Sequence, residues 1–340
     1  MTTEKLKEDD VELVEKLHVK YAALKRELSK VIVGQEDVIE QTLIAVFARG
    51  HALLVGVPGL AKTLLIKTLS DVLDLDFCRI QFTPDLMPAD VTGTEVLDED
   101  KLTGAHSFRF VRGPVFANLL LADEINRTPP KTQAALLEAM QEHRVTVGGE
   151  SRPLPEPFFV LATQNPIEQD GTYPLPEAQM DRFMFKLLVP DPSLDELMQI
   201  VSMTQKTMAE VAEKACTGEQ LLKMRETANQ IPVADEVLRY AMLMTAATHP
   251  DGEYAAAGAK KYIRGGASPR AGQALISAGK VLALIKGRFN VSYSDIEQLA
   301  YPVLRHRIKL NFEAIAERVS ADDVIKAVVA EVSKNYKNKK

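Results

Sequence analysis

The run Leu53-Leu54-Val55-Gly56-Val57-Pro58-Gly59-Leu60-Ala61-Lys62-Thr63 restricts what this chain can fold into more than any other stretch. An apolar strand leads directly into a glycine turn, a lysine and a hydroxyl. Glycines let the backbone fold tightly enough for several N–H groups to face one anion, and a helix starting there adds its positive N-terminal end. Lys62 is then placed to reach the β- and γ-phosphates of a nucleotide, and Thr63 to ligate Mg²⁺. The usual pattern has glycine just before the lysine, and here that position is Ala61. An ordinary strand-to-helix turn with an incidental lysine is the plain alternative. The surroundings favour the phosphate loop: His51 to Val55 reads as a short buried strand, and Leu65, Leu69, Val72 and Leu73 mark one face of a following helix.

A chain of 340 residues has room for two domains with cores of their own. Its 46% hydrophobic and 26% charged content is that of an ordinary globular protein. The net charge of −6 argues against a surface built mainly to neutralise phosphate backbones, so no stable nucleic-acid partner is expected. No segment approaches the ~18 consecutive apolar residues of a membrane span. The start lacks the apolar segment of a secretory signal, so a cytoplasmic protein is expected. Cys78 and Cys216 have no C-x-x-C spacing and read as free thiols, and the six histidines are scattered, which leaves nucleotide-bound Mg²⁺ as the one expected metal.

Residues 1–30 read as an amphipathic helical arm, with Val11, Val14, Leu17, Tyr21, Leu24 and Leu28 at helical spacing, either packed or contacting a second subunit. From 31 to 190, short apolar strands alternate with helical patterns, the mark of an α/β domain with a parallel sheet. Five strands are expected near 51–56, 77–82, 118–122, 158–163 and 184–189. Pro190-Asp191-Pro192-Ser193 interrupts the chain, and a domain boundary is placed there. Residues 191–335 read as a smaller all-α domain with helices over 194–208, 218–230, 235–248, 269–285, 294–303 and 321–333. Residues 336–340 read as a lysine-rich tail.

Two further strands end in polar groups. Asn118-Leu119-Leu120-Leu121-Ala122-Asp123-Glu124 delivers adjacent carboxylates: Asp123 suits the water shell of Mg²⁺, and Glu124 suits a base for an attacking water. Phe158 to Pro166 ends in Asn165, placed for a γ-phosphate or the lytic water, although asparagine before proline also opens turns. Pro174 to Phe183 presents Arg182 at the end of a short helix, where a surface ion pair is the plain alternative. Ser107 to Arg112 alternates between turn residues, with Gly93, Gly104 and Gly113 around it, and reads as a small hairpin; a second surrounds Arg144 to Glu150. Both are candidate contact loops, or plain surface hairpins.

In this order the motifs resemble those of the AAA+ ATPases, and within them the MoxR family, over residues 30–310. Gly56 to Thr63 matches Walker A, Leu120 to Glu124 Walker B, Ala162-Thr163-Gln164-Asn165-Pro166 sensor 1, and Ala267-Ser268-Pro269-Arg270-Ala271 sensor 2. The family commonly carries this G-x-P-G-x-A-K-T loop, so Ala61 supports the resemblance. It implies an AAA+ P-loop domain with a five-stranded parallel sheet flanked by helices, followed by a helical lid. It also implies ATP as the nucleotide, with Mg²⁺, held at Gly56, Val57, Pro58, Gly59, Leu60, Ala61, Lys62, Thr63, Leu64 and Asp123. Val33 and Gly34 are the implied adenine side, within Val31 to Gln35. Sites between subunits of a ring, usually a hexamer, are implied, with Arg182 as the arginine finger and Arg270 on the γ-phosphate of its own subunit. Residues 86–113 fit the insertion that marks this branch.

The resemblance further implies a chaperone-like machine that remodels partner proteins or inserts metals or cofactors into them, often partners with a von Willebrand factor A domain. A magnesium-chelatase ATPase subunit shares the same insertion and ring, and is the nearest rival. A nucleic-acid motor or loader on the same core would need a basic channel, and no helix-turn-helix is recognisable after residue 300. A scaffold that binds nucleotide without turnover fits poorly with Glu124, Asn165 and Arg182 together.

Overall fold

The computed structural model describes residues 8–57, 59–99, 106–166, 171–205 and 211–337. Pro58, Gly104, the first seven residues, 206–208 of the helix expected over 194–208, and 338–340 of the expected tail lie outside them.

The chain opens with α1 (Glu8–Val31) and α2 (Glu36–Phe47), then β1 (Ala52–Val55), α3 (Lys62–Leu73) and β2 (Phe77–Gln81). Next come α4 (Pro88–Thr92) and an antiparallel hairpin of β3 (Gly93–Glu99) and β4 (His106–Arg112). β5 (Leu119–Asp123), α5 (Pro130–Glu142), a second hairpin of β6 (Arg144–Val147) and β7 (Glu150–Pro153), β8 (Phe159–Gln164), α6 (Glu177–Met180) and β9 (Phe185–Leu188) follow. The five expected strands form one parallel sheet in the order β2-β5-β8-β1-β9.

Their composition explains this arrangement. Strands covered on both faces read as unbroken apolar runs, as Leu119-Leu120-Leu121-Ala122 does. Alternate residues then serve opposite cores. Ala52 and Leu54 join the core shared with α1, α2 and α3, whereas Leu53 joins the one under α5 and the hairpins. The two hairpins are tied together, since the Arg152 guanidinium lies 4.2 Å from the Phe110 ring centre and 3.5 Å from Glu95. Phe108 and Leu97, paired across the first hairpin, stay exposed.

α1 is a packed element. Val14, Leu17, Tyr21, Leu24 and Leu28 are buried, as their spacing requires, against a core that residues 269–285 of the second half share.

Beyond β9 come α7 (Leu194–Thr204), α8 (Gly218–Gln230), α9 (Asp235–Ala246), α10 (Ala257–Tyr262), β10 (Ile263–Gly265), α11 (Pro269–Ile285), α12 (Tyr293–Leu304), β11 (Lys309–Leu310), α13 (Phe312–Ala316) and α14 (Ala321–Lys337). This part is mostly helical, with two corrections. β10 and β11 pair, so it is not purely helical, because strands of three and two residues are too short to show alternation. Tyr336 and Lys337 belong to α14 and not to a tail: the Tyr336 ring packs on Tyr240 and Tyr293, and its hydroxyl donates to the Glu236 carbonyl at 3.0 Å. Among the described residues no helix is long and apolar enough to cross a membrane.

Candidate active site

The carboxyl ends of β1, β5 and β8 lie side by side, and each carries one of the motifs. Open parallel sheets bind ligands in the crevice beyond such ends. After β1 the loop turns through Gly59, at φ 87° with open space beside it, and Ala61, at φ 51°. Ala61 is the N-cap of α3 and no side chain caps it, so the first N–H groups of that helix are left for an incoming anion. The left-handed backbone there explains why glycine is the usual occupant, since alanine pays about 1 kcal/mol for that conformation. Lys62 Nζ donates to the Gly56 carbonyl at 2.6 Å and crosses the mouth of the loop. Partial burial lowers its pKa, while Asp123 and Glu124 raise it, which places the ammonium and both carboxylates in one site. Thr63 and Leu64 open α3 behind it. Val57 and Leu60 complete the described part of the loop, and Leu60 accepts from Gln35 Nε2 at 3.3 Å.

At the end of β5, Glu124 has φ 56°. This reversal turns two adjacent strand residues toward the same side. Asp123 Oδ1 accepts from Thr163 Oγ1 at 2.5 Å, and Oδ2 from Arg79 Nη2 at 2.7 Å. The Glu124 N–H donates to Thr163 Oγ1 at 2.8 Å, and its carboxylate accepts from Gln81 Nε2 at 2.7 Å and pairs with Arg127 at 3.2 Å. One hydroxyl thus bridges both acidic residues. Asn165, 4% exposed, follows β8 directly, beside the strand that feeds the loop. Val33 and Gly34 precede α2, and a Cβ on Gly34 would fall within the Glu196 carboxylate of α7. The Glu196 carboxylate could move aside, but the φ of 65° at Gly34 is a left-handed backbone that favours glycine.

Arg79, Gln81 and Thr163 were not singled out from the sequence. The signal for the first two was the polar period of two in Cys78-Arg79-Ile80-Gln81, and Thr163 lay within the sensor 1 motif.

The two arginines are elsewhere. Arg182 and Arg270 line one cavity of about 260 Å³ with Gly50, His51, Asp181 and Arg307, at the amino ends of β1 and β9. Four residues of β1, roughly 13 Å of strand, separate that end from Gly56. The structure does not bring Arg270 beside Lys62: the start of α11 docks on the segment before β9, where Arg270 Nη1 lies 3.8 Å from Asp181. Arg182 Nε is buried without a hydrogen-bond partner.

Comparison with known proteins agrees with this architecture. Residues 51–185 match the model of the ATPase family associated with various cellular activities, and 255–328 match an AAA lid domain. Chaperone MoxR1 of Mycobacterium tuberculosis is 43% identical over 90% of this chain and 80% of its own length. The chain belongs to the MoxR family of AAA+ ATPases. Protein MoxR of Paracoccus denitrificans is 30% identical over 86% of this chain and 90% of its own. A crystal structure of an ATPase candidate from Cytophaga hutchinsonii superposes with a TM-score of 0.86 at 41% identity, covering 94% of this chain and 96% of the other.

Proposed function

We propose that this MoxR-family protein hydrolyses ATP in sites that two neighbouring copies complete within a closed ring of six. One observation carries the proposal: Lys62 and the arginine pair sit at opposite ends of β1, too far apart for one chain to bring both to one phosphate.

In this reading one copy supplies Val33 and Gly34 for the base and the loop from Gly56 to Leu64 for the phosphates, Pro58 included. The residues present fit such a ligand, because the uncapped start of α3 and the Lys62 ammonium both face the place a triphosphate would take. Thr63 and Asp123 would hold Mg²⁺, Asp123 partly through water, and the cation would supply charge neutralisation at the phosphoryl oxygens. Glu124 accepts the proton of the attacking water, and Asn165 orients that water or the γ-phosphate. Arg182 and Arg270 enter from the neighbour, where both line the cavity at the amino ends of β1 and β9.

The work done with this energy is proposed to be chaperone-like remodelling or cofactor insertion in a protein client bearing a von Willebrand factor A domain, a reading supported by family membership. The test is ATPase rate per chain against protein concentration, with mass measured in parallel by sedimentation. The rate should rise as rings form, whereas an unchanging rate from a monomer would defeat shared sites. Capture by the Glu124→Gln variant with ATP identifies the client class: a von Willebrand-type protein supports the chaperone reading, and DNA would replace it with a motor.

A further inference from the structure

Three consecutive residues at the end of α12 grip the segment that carries Arg182. Arg305 Nη1 donates to the Lys186 carbonyl at 2.8 Å, and His306 Nε2 to that of Phe183 at 3.0 Å. Arg307 donates to Phe183 O at 2.7 Å, Met184 O at 3.0 Å and Asp181 O at 3.2 Å, and also to Asp181 Oδ1 at 2.8 Å. The guanidinium of Arg307 is nearly fully buried, a position that is unfavourable without a counter-charge. Asp181 supplies that counter-charge, opposing the fall in pKa that burial imposes on Arg307.

The second oxygen of the same carboxylate reaches another part of the fold. Asp181 Oδ2 accepts from Ser268 Oγ at 2.8 Å, and Ser268 is the N-cap of α11, its oxygen also accepting the Arg270 N–H at 3.2 Å. Asp181 is thus fastened to the end of α12 and the start of α11, while its chain neighbour is Arg182. Removing that carboxylate would leave Arg270 and Arg307 near each other without its counter-charge, in a cavity that Arg182 also lines.

We propose that Asp181 and Arg307 are positioning residues that preset Arg182 and Arg270 as a pair for the phosphate of the adjoining copy. This rests on the shared-site reading above. A free arginine side chain loses much rotamer freedom on being fixed, and a guanidinium fixed beforehand loses less of it at the moment of reaction. The clamp also makes the two arginines one unit: α11 cannot move Arg270 without pulling on the residue next to Arg182.

Mixed oligomers test this directionally. An acceptor carries Arg182→Ala with an intact phosphate loop, and a donor carries Glu124→Gln with intact arginines. Each alone is inactive, and mixing restores turnover at acceptor sites that face a donor. Asp181→Asn added to the donor should lower the restored rate at least about tenfold with the KM for ATP unchanged. Added to the acceptor, where it borders a site already disabled, it should leave the rate within about twofold. Asp181→Glu in the donor, which keeps the charge but displaces it by one methylene, should lower the rate about threefold or more, and guards against a folding defect in the first variant. Equal losses from either side, or no loss in the donor, would overturn the clamp alone. No restoration by the unmodified donor would overturn the shared site, and the clamp with it.

Discussion

The two ends of the parallel sheet are built on opposite plans. At the carboxyl ends of β1, β5 and β8, the chemistry lies in contiguous motifs on tight turns, with left-handed residues at Ala61 and Glu124. At the amino ends of β1 and β9, the groups come from distant parts of the chain, since Arg307 and Asp181 are 126 residues apart. The first end is shaped to receive phosphate. The second presents cations and buried neutral histidines. The groups proposed for hydrolysis fall at one end and the proposed arginines at the other, and the shared-site proposal rests on that difference.

The sharpest way to break this contrast is Arg182→Ala. Arginine fingers are worth about 10³ or more in turnover, so ATP should bind normally while hydrolysis falls by roughly that factor. A variant with near-normal turnover would erase the functional difference between the ends. Lys62→Ala should do the reverse, weakening ATP binding about 100-fold or more in titration calorimetry, because a buried-pair charge is worth several kcal/mol.

Acid should separate the ends further. His51 accepts the Val160 N–H at Nδ1 and donates to the Met140 carbonyl from Nε2, and burial lowers its pKa to about 4. Burial likewise holds His306 well below the usual range. For a histidine neutral in the folded state, the unfolded chain binds the extra proton. Stability is therefore complete above about pH 6.5 and falls as pH drops toward 4, by about 3 kcal/mol for His51. Thermal melts across this window should show that slope in the native protein and lose much of it in His51→Gln. Equal slopes would remove His51 from the account.

The smallest expected effect is at the phosphate loop. Ala61→Gly relieves a left-handed alanine at φ 51° and should raise stability by up to about 1 kcal/mol with ATP binding retained, measured by denaturant unfolding.

Much of the fold was legible because its signals are local. Leu119-Leu120-Leu121-Ala122 fixes a doubly covered strand, Leu17, Tyr21, Leu24 and Leu28 fix the buried face of α1, and Gly56 to Thr63 fix a phosphate loop, all within a few turns of chain. Spacing alone could not show that Thr163 bridges Asp123 and Glu124, since that bond spans two strands 40 residues apart. Nor could it show Arg270 beside Asp181 and away from Lys62, which follows from how α11 docks on the core. Short-range stereochemistry determined which residues can bind a phosphate. Long-range packing decided at which end of the sheet the arginines sit, because a side chain's direction depends on the element it packs against and not on its neighbours in sequence.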